Sequence, residues 1–241
     1  MLNYHSYETF STQDWPWIRM VIFLQWCPYR CLYCQNPDTI TTDINKQISA
    51  EQILNLANKQ KEYFWKKWWI TFSGWECLLQ AKELIPVLKM LKENWFNTCL
   101  DTNGFLLTDD VKEALKYTDH VLPDIKALTI SSHEKITWVK NLTSLEFIKY
   151  IDEQWMSYWI RYVVVPWLTD NEVDIKKLWK FIQSLKNFQK INLLPYHTMA
   201  LSKRQKLGRE YPLKWTPSAK KQDIEKVKNI LSKLVNSELI Q

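Results

Sequence analysis

The most chemically informative segment of the chain is a loop that carries three cysteines. Cys27, Cys31 and Cys34 follow an apolar run with the spacing C-x3-C-x2-C. Three thiolates on one loop can bind three corners of an iron–sulfur cluster or three positions around a zinc ion. A fourth position then stays open, as in catalytic centres, whereas structural zinc usually takes two separated Cys/His pairs. The spacing therefore favours a catalytic iron–sulfur cluster and leaves zinc as the alternative. Cys77 and Cys99 stand alone and are expected to be small buried core residues.

Other polar groups follow the predicted strands. In parallel α/β folds, the C-terminal ends of the strands carry the chemistry. We therefore expect the cysteine loop, defined as residues 27–34, to be joined there by residues 73–76, 101–104, 124–126 and 195–197.

The elements that must position these groups are alternating strands and amphipathic helices. The apolar runs predict strands at 18–24, 69–72, 98–101, 120–125, 159–165 and 190–194. Helical spacing predicts helices near 79–93, 170–186 and 218–236, and a capping box at Ser49 and Gln52 predicts one that runs through Phe64. Residues 197–217 are predicted to be a long loop. Six β-α repeats indicate a parallel sheet, doubly wound or in a barrel, in one domain over residues 1–241.

Composition and charge exclude several classes of protein. The 241 residues are 46% apolar and 24% charged, as in an ordinary globular domain. The net charge of +6 is spread along the chain and does not form a basic nucleic-acid-binding arm. No apolar run reaches the roughly 18–20 residues of a membrane span, and the N-terminus lacks a signal-peptide pattern. We therefore expect a cytoplasmic protein with reduced thiols.

The tryptophan and glycine contents are anomalous. The chain has 14 Trp and 3 Gly, whereas average usage predicts roughly 17 Gly in a chain of this length. Tryptophan also stands where turns ask for glycine. Our hypothesis is that most are glycines in the living protein, because UGA codons were read with the wrong code table; a Trp-rich interaction surface is the alternative. Only Trp159 is expected to be genuine, and the suspect positions are Trp15, Trp17, Trp26, Trp65, Trp68, Trp69, Trp75, Trp95, Trp138, Trp155, Trp167, Trp179 and Trp215.

The cysteine motif resembles the signature of the radical S-adenosylmethionine (SAM) enzymes. When Trp is read as Gly, residues 12–19 become T-Q-D-G-P-G-I-R, residues 25–28 become Q-G-C-P, and residues 73–76 become S-G-G-E. Together with residues 101–104, 158–166 and 193–197, these motifs resemble the pyruvate formate-lyase-activating enzymes over nearly the whole chain. No cysteine occurs between Gln35 and Glu76, where multi-cluster relatives carry cysteine-rich inserts.

The resemblance implies a fold, a reaction and partners. The fold is α/β, a partial (β/α)6 TIM-like barrel of the radical SAM type. One [4Fe–4S] cluster, bound by three cysteines, reductively cleaves SAM, and the resulting 5′-deoxyadenosyl radical abstracts hydrogen from a backbone glycine of pyruvate formate-lyase. The implied electron donor is reduced flavodoxin or ferredoxin, and the implied oligomeric state is a monomer. No nucleic acid or membrane is expected as a partner.

The resemblance also assigns roles to individual residues. Cys27, Cys31 and Cys34 are the implied cluster ligands and hence the catalytic centre. Asp101 and Thr102 are implied to help hold a monovalent cation, and Arg161 could reach the SAM carboxylate. Family members commonly have His at position 35, so Gln35 is a departure. The residues implied to bind SAM are Tyr33, Gln35, Trp75, Glu76, Asp101, Asp124, Lys126 and His197.

Each of these assignments has an ordinary structural alternative. Asp101 could cap the turn that follows it, and Asp124 with Lys126 could be a solvated surface pair. Glu76 could be a first-turn helix residue favoured by the helix dipole, and His197 could be an exposed or satisfied histidine.

Three other possibilities also remain open. The chain could be another single-cluster radical SAM enzyme that acts on a small molecule, or a non-catalytic zinc-binding protein. If the tryptophans are literal, it could fold poorly or bind no SAM.

Overall fold

The computed structural model describes residues 1–11, 18–40, 46–63, 69–74, 76–232 and 237–241. The chain divides into two compact units. The first unit comprises Met1–Pro28 and Thr39–Pro123, and the second comprises Tyr29–Asp38 and Asp124–Gln241. The prediction of one domain stays a prediction. The expectations for Trp15, Trp17, Trp65, Trp68 and Trp75 lie outside the described residues.

The first unit is built on a six-stranded sheet. Its strands are β1 (Leu2–Ser11), β2 (Arg19–Leu24), β3 (Gln47–Ile48), β4 (Trp69–Ser73), β5 (Asn97–Thr102) and β6 (His120–Pro123). The order across the sheet is β3-β1-β2-β4-β5-β6. Strands β2, β4, β5 and β6 pair in parallel, whereas β1 is antiparallel to β2 and β3. The parallel strands end at one edge, so their C-terminal residues are neighbours.

Three helices accompany this sheet: α1 (Ala50–Gln60), α2 (Ala81–Glu93) and α3 (Asp109–Leu115). The predicted capping box is confirmed, because the side chains of Ser49 and Gln52 each accept a hydrogen bond from the other's backbone N–H. The apolar stripe of α2 is buried at Leu84, Leu88 and Leu91, as its spacing predicts.

The second unit contains two parallel strands, β7 (Trp159–Val164) and β8 (Lys190–Pro195). Its helices are α4 (Ile130–Thr137), α5 (Leu142–Glu153), α6 (Glu172–Gln183), α7 (Ala200–Lys206) and α8 (Lys221–Ser232). The stripe predicted for α6 is buried at Ile175, Leu178 and Ile182. Among the described residues of both units, no helix combines the length and the apolar character that crossing a membrane requires.

The structure confirms all six predicted strands and corrects two predictions. The helix predicted to run through Phe64 ends at Gln60 and is followed by a 3₁₀ turn over Lys61–Tyr63, and Phe64 lies outside the described residues. Residues 197–217 are not a continuous loop, because α7 lies within them. This helix buries only Ala200 and Arg204, so it has no apolar stripe by which a sequence pattern could identify it.

Several helices end with a tryptophan in the left-handed backbone conformation. After α2, the N–H of Trp95 donates to the carbonyl of Lys92, and the N–H of Phe96 donates to that of Leu91. This pair of hydrogen bonds is the Schellman motif, which needs a left-handed residue, usually glycine, at the position after the C-cap. Trp95 occupies that position with φ 66°.

The same motif occurs twice in the second unit, once with tryptophan and once with glycine. After α5, Trp155 (φ 53°) donates to Asp152, and the next residue donates to Ile151. After α7, Gly208 (φ 63°) donates to Gln205, and the next residue donates to Arg204. The two turns therefore make the same backbone demand, and only Gly208 meets it without steric strain.

Within the described residues, every non-glycine residue with positive φ is a tryptophan. Besides Trp95 and Trp155, they are Trp26 (86°), Trp138 (65°) and Trp167 (65°). A left-handed conformation costs a residue with a side chain roughly 1–2 kcal/mol. Five such residues would oppose folding by about 5–10 kcal/mol, which is comparable to the whole net stability of an ordinary domain.

We therefore predict that Trp95→Gly stabilises the protein by about 1 kcal/mol, because it removes the strain of a left-handed side chain. Trp95 is 84% exposed, so few contacts are lost. The matched control is Trp215→Gly, which removes an equally exposed side chain (85%) at an ordinary φ and should give no gain. Urea denaturation measures both changes, and an equal effect of the two substitutions would contradict the prediction.

Candidate active site

The three cysteines of the cysteine loop are buried and form no disulfide. Cys27 belongs to the first unit, whereas Cys31 and Cys34 belong to the second. In the first unit, the Nδ2 atom of Asn103 donates to the Sγ atom of Cys27 over 3.8 Å. Cys77 and Cys99 are also buried and form no disulfide, which confirms their prediction as core residues.

In the first unit, the ends of β4 and β5 are joined by side chains. The hydroxyl of Ser73 donates to Oδ2 of Asp101 at 2.7 Å. The hydroxyl of Thr102 donates to Oε1 of Glu76 at 2.6 Å. These contacts fix the segment after β4 against the segment after β5.

Glu76 is fully buried, and the chain itself uses both of its carboxylate oxygens. Oε1 accepts from the N–H of Leu78 as well as from Thr102, and Oε2 accepts from the N–H of Phe105. Burial raises the pKa of Glu76 to about 7, against the lowering effect of these hydrogen bonds. Glu76 caps a 3₁₀ turn, which is close to the alternative of a first-turn helix residue. Its contact with SAM stays a prediction.

Gly74 lies at the same turn, with φ 101°. A Cβ atom built on it would lie 2.2 Å from the carbonyl oxygen of Leu24 and 2.3 Å from its nitrogen. The end of β4 therefore approaches the backbone of β2 so closely that only glycine fits. Trp75, which the sequence places next in the predicted SAM site, lies outside the described residues.

In the second unit, Asp124 is paired with two cations. The Nζ atom of Lys126 donates to Oδ2 of Asp124 at 2.7 Å, and Nε of Arg161 lies 3.5 Å from Oδ1. The backbones of Asp124 and Arg161 also pair in an isolated parallel β-bridge. The side chains of Lys126 and Asp124 are only 4% and 10% exposed, so the alternative of a solvated surface pair is wrong. Lys126 and Arg161 together carry two positive charges against the single negative charge of Asp124. The three side chains therefore have a net positive charge that suits a further anion.

The structure also brings Tyr33, Gln35 and His197 together in the second unit. The Nε2 atom of Gln35 donates to the carbonyl oxygen of His197 at 2.8 Å and to that of Tyr33 at 3.3 Å. The ammonium group of Lys126 lies 5.7 Å from the centroid of the Tyr33 ring. The side chain of His197 is exposed, and the Tyr33 hydroxyl is buried without a hydrogen-bond partner among the described residues. Such an orphaned donor is expected where a ligand completes a site.

Two opposite effects act on the thiols of the second unit: burial opposes thiolate formation, and a nearby positive charge favours it. Burial raises the pKa of the Cys31 thiol to about 12, and the positive charge of Lys126 acts in the opposite direction. Burial alone would lower the pKa of Lys126, but the carboxylate of Asp124 and the Cys31 thiolate raise it above its usual value. Lys126 therefore stays charged beside the cysteines.

These donors fit the predicted cluster. Thiols are the ligands of [4Fe–4S] clusters, and N–H donors to sulfur, such as that of Asn103, tune the clusters. Within the described ranges, no three His, Cys, Asp or Glu side chains converge on a single metal ion. Cluster cysteines bind different iron atoms, so they need not converge.

Sequence reasoning missed two residues that contact the cysteine loop. One is Asn103, which the sequence pattern marks only as part of the polar segment 101–104. The other is Arg204, whose Nη2 atom donates to the carbonyl oxygen of Cys31 at 3.1 Å. Arg204 stands in a basic stretch of α7 that is typical of a solvated helix face, so its burial could not be anticipated.

Comparison with known proteins identifies the class. The family model of the radical SAM superfamily matches residues 21–178. Streptococcus suis SuiB, solved with its precursor peptide SuiA, has the same fold with a TM-score of 0.68 at 14% identity, over 91% of this chain and 47% of that one. The predicted fold class, α/β of the radical SAM type, is therefore confirmed.

Curated relatives identify the family. The pyruvate formate-lyase-activating enzyme of Clostridium pasteurianum is 38% identical over 96% of this chain and 97% of its own length. The pyruvate formate-lyase 1-activating enzyme of Escherichia coli is 37% identical over 94% of each chain. The chain belongs to the pyruvate formate-lyase-activating enzymes of the radical SAM superfamily.

We predict that Gly74→Ala destabilises the protein by about 3 kcal/mol or more, because the new Cβ atom would displace the backbone of β2. The matched control is Gly208→Ala, where a Cβ atom would meet nothing within 4 Å and only the left-handed strain of roughly 1–2 kcal/mol applies. Thermal denaturation compares the two variants. A Gly74→Ala variant no less stable than Gly208→Ala would contradict the close approach.

Proposed function

We propose that this chain activates a pyruvate formate-lyase by creating a glycyl radical on it. The identity of 38% along 96% of the chain to an activating enzyme carries the proposal. The buried thiols of the cysteine loop and the charged pair of Lys126 and Asp124 in the second unit support it. The substrate is then the backbone glycine of another protein.

The residues present fit one [4Fe–4S] cluster with SAM. Cys27, Cys31 and Cys34 would hold the cluster, which supplies the electron that cleaves SAM to a 5′-deoxyadenosyl radical. A radical of this kind needs a site from which water is excluded. The burial of the three cysteines supports such a site, since none is more than 8% exposed.

The charged group of the second unit would position SAM. Lys126 and Arg161 flank Asp124, and their shared positive charge suits the carboxylate of the methionyl part. The unpartnered hydroxyl of Tyr33 and the exposed side chain of His197 are the remaining candidates in this unit for contact with the nucleoside.

The finer assignments are part of the same proposal. Asp101 and Thr102 would help to hold a monovalent cation in the first unit, and Glu76 would contact SAM. A reduced flavodoxin or ferredoxin would supply the electron to a monomeric, cytoplasmic enzyme.

The test is anaerobic reconstitution with iron and sulfide, followed by reduction in the presence of SAM and a pyruvate formate-lyase. We expect 5′-deoxyadenosine and the electron paramagnetic resonance signal of a glycyl radical. Cys31→Ala should abolish both products because the cluster loses a ligand, whereas the matched change Cys99→Ala removes a buried core thiol and should preserve them. SAM cleavage without a glycyl radical would indicate a different substrate, and uptake of zinc alone would overturn the proposal.

A further inference from the structure

We infer that positions 26, 95, 138, 155 and 167 are glycine in the protein that its own host makes. The observation that carries this inference is backbone geometry rather than composition. All five residues have φ between 53° and 86°, and no other non-glycine residue of the described ranges has positive φ.

The turns explain why the backbone takes this conformation. Trp95 and Trp155 close Schellman motifs that match the one closed by Gly208. Trp138 follows α4 and donates to the carbonyl of Glu134, which is the simpler left-handed ending of a helix. Each of these positions is set by the helix that ends there, and glycine is the residue that such endings favour.

The exposure of the five side chains also favours glycine at these positions. Trp95, Trp138, Trp155 and Trp167 are 68–84% exposed, so packing does not explain their side chains. Trp26 is partly buried, and its indole N–H has no hydrogen-bond partner among the described residues. A glycine would remove the exposed rings and the unpaired donor together.

Trp159 differs from the five tryptophans with positive φ. It lies in the extended strand β7, and the ammonium group of Lys190 on β8 lies 4.5 Å from the centroid of its ring. A tryptophan fits a strand and this cation–π contact, whereas a glycine fits neither. The chain therefore contains two kinds of tryptophan position, as expected if two different codons were both translated as tryptophan.

Position 26 gives the inference a consequence for the active site. It precedes Cys27 directly, and its N–H donates to the carbonyl oxygen of Thr39 at 2.9 Å in the first unit. Glycine at this position is a positioning residue, since it lets the chain turn sharply into the cysteine loop without strain.

The test is peptide mass spectrometry of the protein purified from its own host. We expect glycine at the five positions and tryptophan at 159. Tryptophan at any of the five would overturn the inference, and glycine at 159 would overturn the use of backbone torsion to separate the two kinds.

The gene gives a second measurement. We expect one codon at all five positions and a different codon at 159. The same codon at 95 and 159 would overturn the inference.

A separate observation concerns Arg204, and the inference drawn from it rests on the proposed function. We propose that Arg204 is a positioning residue that holds the cysteine loop and favours the reduced state of the cluster by its positive charge. Its Nη2 atom donates to the carbonyl oxygen of Cys31 at 3.1 Å, and its Nη1 atom donates to that of Glu210 at 3.3 Å.

The surroundings of Arg204 leave its charge uncompensated. The residue is 9% exposed, and its guanidinium carbon lies 5.4 Å from the centroid of the Tyr211 ring. The hydroxyl of Tyr211 lies 2.6 Å from that of Tyr196, which fixes the ring. Within the described residues, no carboxylate forms an ion pair with Arg204. A buried cation of this kind requires a nearby anion.

The cysteine loop would supply that anion. The carbonyl oxygen that accepts the hydrogen bond of Arg204 belongs to Cys31, so the guanidinium group lies next to a predicted cluster ligand. A reduced cluster carries one more negative charge than an oxidised one, so a cation beside it favours reduction.

The readout is the midpoint potential of the reconstituted cluster, followed by electron paramagnetic resonance during a redox titration. Arg204→Gln should shift the potential to a more negative value. The matched control is Arg209→Gln, since Arg209 also donates to a backbone carbonyl of this unit, that of Pro37, at 3.1 Å. If both variants keep the potential of the unmodified chain, the proposal is overturned.

A second pair of variants covers the case in which Arg204→Gln fails to retain a cluster. Arg204→Lys keeps the charge but cannot reach the carbonyls of Cys31 and Glu210 together. Because the charge is retained, Arg204→Lys should keep the potential close to that of Arg209→Lys, and a large negative shift in Arg204→Lys alone would overturn the proposed role of the charge. A purely structural role would lower the melting temperature without moving the potential. If the cluster forms but activates no pyruvate formate-lyase, the proposed function fails while this measurement still stands.

Discussion

Buried sulfur that must become anionic is the constraint on which the second unit depends. An iron site needs thiolates, but burial opposes the charged form and raises the pKa values of Cys31 and Cys34. Two buried cations of the second unit, Lys126 and Arg204, favour the thiolate form. Lys126 is held charged by Asp124, and Arg204 is held by carbonyl oxygens. Each cation costs desolvation free energy, and only an anion nearby makes the arrangement favourable.

The first unit meets a different need, which is to fix the loops that follow its parallel strands. Ser73 and Asp101 are linked by one hydrogen bond, and Thr102 and Glu76 by another. These are side chains that a sequence pattern marks as possible ligand contacts, yet their first contacts are with each other. Such prior pairing keeps a site in one geometry before any ligand arrives, so less conformational entropy is lost on binding.

The sequence predicts the parallel strands well, because buried β-strands are continuous apolar runs that local pattern reveals. It does not predict β1, because the residues LNYHSYETFS lack clean alternation and only the first and last of them are fully buried. It also misses α7, which buries an arginine instead of an apolar stripe. Of the site, it predicts the residues that sit at strand ends, but not Asn103 with Cys27 or Arg204 with Cys31. Those contacts depend on tertiary structure and leave no periodic signal.

Backbone torsion distinguishes the tryptophan positions, whereas composition does not. Fourteen Trp against three Gly is only a count, and a tryptophan-rich binding surface would account for it equally well. A binding surface, however, would not select residues by backbone torsion. Trp69, Trp179 and Trp215 are suspect by context but have ordinary φ, so the torsion argument does not extend to them. Where it does apply, at Trp95 and Trp155, the hydrogen bonds of the preceding helix determine the conformation, and Gly208 shows which residue this chain uses when the same ending recurs.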